Sequence, residues 1–177
     1  MKKKAKAFSS VKVLTTGAML TALSIVIGIF CKNYLNFGNG LFRVTFENFP
    51  IILSGILFGP VVGALVGVCS DVLSYVLSTQ SLAISPLVTL GAAAVGAVSG
   101  LISHYVVKKG GYLRLLISAV AAHLTGSILI KSIGLFAYYG IAVLWRIPVY
   151  AGIVILESLL IHLMYQNSAF RQFFQWK

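Results

Sequence analysis

Residues 49–60 read Phe-Pro-Ile-Ile-Leu-Ser-Gly-Ile-Leu-Phe-Gly-Pro (FPIILSGILFGP), and whether this stretch crosses a membrane decides the fold. As a helix, Phe49–Phe58 reaches only about 15 Å, half of a hydrocarbon core of about 30 Å. Gly59-Pro60 then ends it. It is either a short span or a re-entrant segment, and the choice inverts everything that follows.

The surrounding chain is built for lipid. It is 59% hydrophobic and 10% charged, with mean hydropathy +0.97, whereas soluble domains carry about 25% charged residues. Long apolar runs cover Val13–Phe30, Phe49–Phe58, Pro60–Leu77, Pro86–Tyr105, Leu113–Ile130 and Pro148–Tyr165. They are continuous rather than alternating, which excludes a β-barrel. The first run extends to Phe30 without an Ala-x-Ala exit, so it reads as a retained helix rather than a cleaved signal.

Charge settles the short stretch. With six spans and the N-terminus inside, Lys2, Lys3, Lys4, Lys6, Lys12, Lys108, Lys109, Arg114, Arg171 and Lys177 lie inside, and Lys32, Arg43, Lys131 and Arg146 outside, ten against four. A re-entrant second segment gives seven against seven. The positive-inside rule selects six spans. The expected fold is therefore all-α and integral to the membrane: a six-helix bundle (residues 13–165) between two cytoplasmic tails (residues 1–12 and 166–177). Asn48 is the expected cap of the second helix. Outer loops are expected at Cys31–Asn48, Ser78–Ser85 and Lys131–Ile147. Lys32 is expected to reach out to the interface.

Several function classes drop out. No phosphate loop exists; Gly126 through Lys131-Ser132 lacks the second glycine. Ala97-Val98-Ser99-Gly100 falls short of a membrane serine-protease motif. His104, His123 and His162, with Cys31 and Cys69, show no metal spacing. The reading is a non-enzyme with no cofactor and no metal. The net charge of +11 sits mainly in tails and one loop, so nucleic acid is not the partner.

The three acidic residues, Glu47, Asp71 and Glu157, carry the positive information. Ionisable groups within a membrane cost at least about 2.5–3.5 kcal/mol at a helix centre and face cavities or one another. In the six-span arrangement Glu47 lies at the outer mouth, Asp71 in the outer half of the third helix and Glu157 near mid-membrane. Arg43, Lys131 and Arg146 share the outer side. Gly63, Gly67, Ser70, Asp71, Ser74 and Ser78 make one small, polar face on the third helix, with Tyr75 one turn on from Asp71. Aromatics, including Tyr138, Trp145 and Tyr150, crowd the outer end beside these charges. Together they indicate an outward-facing polar pocket. Arg43 and Glu47, four residues apart, are either a structural ion pair or ligand contacts. Asp71 either meets ligand or bonds neighbouring helix ends, and Glu157 either pairs with a lysine or arginine or stays protonated. Small pairs such as Ala18/Ala22 and Gly96/Gly100 permit close helix approach.

The run RVTFENFPIILSGILFGPVVGALVGVCSDVLSYVL, Arg43 to Leu77, together with Ala18-Met-Leu-Thr-Ala22, resembles the substrate-binding membrane subunits (S components) of energy-coupling-factor (ECF) vitamin transporters. The resemblance covers essentially the whole chain. The Arg-x-Thr-Phe-Glu-x-x-Pro wording, with Phe-Gly-Pro and a later Asp, is most similar to the folate-specific members. It implies a bacterial plasma-membrane subunit that binds vitamin tightly on the outer side. Release inside would then need a transmembrane coupling subunit and two cytoplasmic ATPases. It also implies that Ala18 and Ala22 dock the coupling subunit. Folate suits the residues: a carboxylate (Glu47 or Asp71) for the pterin edge, aromatics to stack on it, and Arg43, Lys131 or Arg146 for the anionic tail. Riboflavin, thiamine or pantothenate on the same architecture, or a stand-alone proton-coupled carrier using Asp71, Glu157 and a histidine, are the alternatives.

Overall fold

The computed structural model describes residues 11–37, 42–77, 86–107 and 111–167. The tails and the Ser78–Ser85 loop fall outside this range, as do the side chains of Arg43, Tyr138, Trp145 and Arg146. The described chain is an all-α membrane bundle. Its helices are α1 (Val11–Tyr34), α2 (Asn48–Phe58), α3 (Pro60–Leu77), α4 (Pro86–Leu101), α5 (Tyr112–Ala122), α6 (Lys131–Tyr139) and α7 (Arg146–Gln166). A π-helical turn, Ile102–Val106, extends α4, and a longer one, His123–Ile130, joins α5 to α6. Both joints keep right-handed helical dihedrals, so α5 and α6 form one rod. The remaining described elements are a hairpin of two two-residue strands, β1 (Asn36–Phe37) against β2 (Phe42–Arg43), and a 3-10 helical stretch, Gly140–Trp145, between α6 and α7.

Five of these rods are long and apolar enough to span a bilayer. Their outer faces carry bare hydrocarbon, such as Leu14, Met19, Val26, Val61, Leu129 and Ile155. Such a surface is stable only in lipid. Small and polar residues turn inward instead.

α2 is the exception that the opening stretch anticipates. Its 11 residues give about 16 Å, yet nearly all of it is buried: Asn48, Pro50 and every residue from Ile51 to Ile56. A short helix survives at membrane depth because protein, not lipid, surrounds its ends. At its C-terminal end Gly59 N–H bonds Gly55 O at 2.9 Å, and His104 Nε2–H donates to Ile56 O at 3.0 Å. Gly59 takes φ +97°, a conformation open to glycine, and so α3 starts at once at Pro60.

α3 and α4 form the rigid centre. A Cβ at Gly63 would overlap Gly96 O, one at Gly96 would overlap Gly63 O, and one at Gly67 would overlap Ala92 O. The two backbones touch, as small residues allow in membranes.

Three expectations are corrected. Asn48 is the first residue of α2 and makes no side-chain cap; the N-cap is Glu47, which makes none either. Lys131 belongs to the α5–α6 rod, not to a loop, because π-helical winding carries the helix past Ile130. Lys32 does not reach out to the interface: its Nζ–H donates to Ser74 Oγ at 2.8 Å.

Candidate functional site

The C-terminal ends of α1 and α3 and the N-terminal ends of α2 and α4 meet at one end of the bundle, beside α6. There Ser24, Glu47, Ile51, Ser70, Asp71, Ser74, Ala92 and Lys131 enclose a polar cavity of about 10 Å³. That is room for roughly one water. Helix periodicity brings Ser70, Asp71 and Ser74 to this wall from α3, the polar face read from the sequence.

Lys131 stands at the centre. It is only 3% exposed, its Nζ–H donates to Asn48 Oδ1 at 3.2 Å, and it lies 3.8 Å from Glu47 Oε1. Asn48 in turn donates Nδ2–H to Ser127 Oγ at 3.3 Å. Ser24 Oγ–H donates to the Glu47 carbonyl at 2.7 Å, which ties α1 to the start of α2. Gly91 makes the space for the lysine stem: a Cβ there would lie 2.5 Å from Lys131 Cγ. An ammonium this deep is tolerable because it is hydrogen-bonded and faces a carboxylate.

Asp71 is held from α4: Thr89 Oγ1–H donates to Asp71 Oδ2 at 2.7 Å. Ser70 beside it is buried, and its Oγ has no hydrogen-bond partner among the described residues. Sequence reasoning placed Ser70 on the right face but gave it no role, and it passed over Thr89.

A second buried cluster lies between the π-helical stretch and α7. His123 Nε2–H donates to Glu157 Oε2 at 2.6 Å, and both side chains are fully buried. Glu157 thus pairs with a histidine and not with a lysine or arginine. The Tyr150 ring packs 5.7 Å from that of His123, so Tyr150 belongs to the core and not to an interfacial belt. His123, Ser127 and Lys131 follow one another at four-residue steps along the rod, all buried. π-helical turns are frequent at functional sites.

Of the residues singled out from the sequence, Glu47, Asp71 and Lys131 come together. Tyr75 is half-buried on α3 and stands outside the described cavity wall. Arg43, Tyr138, Trp145 and Arg146 belong to elements near this end, their side chains outside the described set. Ala18 and Ala22 are exposed on α1. With Leu14, Leu65, Val66 and Leu73 they line an apolar groove of about 440 Å³ between α1 and α3, so they do not serve internal packing. Among the described residues no group of three or more metal-binding side chains occurs.

Comparison with known proteins agrees with this architecture. Curated protein sequences give no match. The crystal structure of FolT bound with folic acid has the same fold, with a TM-score of 0.66 at 20% identity over 86% of this chain and 90% of that one. The family model of the ECF transporter substrate-specific component matches residues 12–168. The chain is thus a multi-pass membrane protein that belongs to the substrate-specific components of ECF transporters, the vitamin-binding subunits of that transport system.

Proposed function

We propose that this protein is the folate-binding subunit of an ECF-type uptake transporter in a bacterial plasma membrane. It takes folate from the outer side and delivers it together with a transmembrane coupling subunit and two cytoplasmic ATPases. One observation carries the reading: a polar cavity with two carboxylates and a buried ammonium at one end of the bundle. The carboxylates suit the N–H edge of a pterin, and Lys131 offsets the charge of Glu47 beside it. The likeness to a FolT structure that holds folic acid supports the same choice.

A cavity with room for one water must widen to admit a vitamin. The outer ends of α1, α3 and the α5–α6 rod part on binding, while the glycine seam of α3 and α4 stays fixed. Ala18 and Ala22 then dock the coupling subunit from the lipid-facing groove. Uptake of labelled folate into vesicles tests the whole reading. Transport should need the coupling subunit and the ATPases, and binding should not.

The buried His123–Glu157 pair favours one competitor, a stand-alone proton-coupled carrier. That reading requires uptake by the purified chain alone under a pH gradient.

A further inference from the structure

Two carboxylates face the cavity, and the geometry separates their duties. Glu47 has Lys131 at 3.8 Å and sits where α1 and α2 are tied together. Asp71 has a different setting. Thr89 donates to one of its oxygens, Oδ2, and Oδ1 receives no donor from the described residues. The neighbouring Ser70 hydroxyl is buried and unpartnered, and it lines the same cavity. A buried hydroxyl without a partner costs free energy, which a ligand can recover. Both residues ride on α3, whose backbone is locked to α4 through Gly63, Gly67 and Gly96. Thr89 is on α4, so a rigid pair of helices sets the direction of the carboxylate.

We infer that Asp71 and Ser70 together read the edge of a fused 2-amino-4-oxopyrimidine ring, with Thr89 as the positioning residue. Such an edge presents two adjacent N–H donors, the 2-amino group and N3–H, and then the 4-oxo acceptor. An ionised carboxylate accepts two parallel N–H bonds, and a hydroxyl donates to the carbonyl. The pattern rejects a flavin edge, where N3–H lies between two carbonyls and one of them would oppose the carboxylate. This inference rests on the folate reading above and assigns within it the residues that discriminate.

The test is a cycle of two proteins and two ligands, read by calorimetry on full-length protein in detergent. The proteins are wild type and Asp71→Asn; the ligands are folic acid and its 2-desamino-2-methyl analogue. Asp71→Asn should weaken folic acid by about 30-fold or more, the size of a lost hydrogen bond to a charged group. It should weaken the analogue by no more than about 5-fold, since the analogue keeps only N3–H for this position, and the Asn oxygen can still accept that bond. Thr89→Val should lower the preference for folic acid over the analogue in the same direction but less. Ser70→Ala should cost folic acid about 5-fold without lowering the melting temperature of the ligand-free protein. Equal weakening of both ligands, or none, overturns the inference while folate binding stands. Wild type that binds riboflavin or thiamine but not folic acid overturns the folate reading and this inference with it.

Discussion

Lys131 shows how a single residue depends on its neighbours. Buried at 3% exposure, it is held by Asn48 and faces Glu47. Lys131→Met should destabilise the protein by about 1–3 kcal/mol, because buried acceptors lose their donor. Thermal unfolding in detergent reads this. Gly91→Ala should act in the same direction, by about 1–3 kcal/mol of overpacking, since the new methyl group meets the lysine stem 2.5 Å away. His123 behaves alike: His123→Leu leaves Glu157 buried without its partner, at a cost of about 3–5 kcal/mol. The double change His123→Leu with Glu157→Met should recover most of that loss. Equal losses for the single and double variants would show that the pair is not coupled. At this scale the sequence was partly legible. Rarity alone marked Glu47 and Asp71, since an acidic residue in a membrane segment needs a reason. The partners were hidden because they depend on register between helices: Thr89 is opposite Asp71, and His123 opposite Glu157, only once α3–α4 and the rod–α7 packing exist.

The elements explain why those registers are fixed. α3 and α4 touch through backbone at Gly63, Gly96 and Gly67, and the seam carries Asp71 and Thr89 at its polar end. Gly96→Val should force the helices apart and cost about 3 kcal/mol or more, above a usual overpacking penalty because backbone rather than a side chain is in the way. Loss of ligand binding should accompany the fall in melting temperature. Gly91 and Gly126 likewise bring α4 against the rod: a Cβ at Gly126 would meet Gly91 O, and one at Gly91 would meet the Lys131 stem. Element boundaries were mostly readable from Pro60, Pro86 and the apolar runs. The rod was not, because nothing in His123–Ile130 signals π-helical winding, and Lys131-Ser-Ile-Gly looked like the start of a loop. Lys32 misled for a related reason. Its place at a helix end suggests reaching out to the interface, but Ser74 on the neighbouring helix draws it inward.

For the whole molecule, the count of spans was the decisive inference, and charge asymmetry alone carried it. α2 is too short by length, and its near-complete burial resolves the difficulty: surrounding protein replaces lipid along it. The lipid-facing groove holding Ala18 and Ala22 is lined by mostly apolar residues and shares none with the cavity. Ala18→Trp with Ala22→Trp should therefore leave ligand affinity within about 2-fold, well below 1 kcal/mol. It should abolish uptake by vesicles that contain the coupling subunit and the ATPases. If both binding and uptake survive, the groove is not the docking surface.

The most direct measurement is a calorimetric titration of ligand-depleted, purified protein with folic acid, and then with riboflavin, thiamine and pantothenate. Tight one-to-one binding of folic acid alone is expected from a cavity with two carboxylates and a buried lysine. Tight binding of another of these vitamins, with none of folic acid, would contradict it.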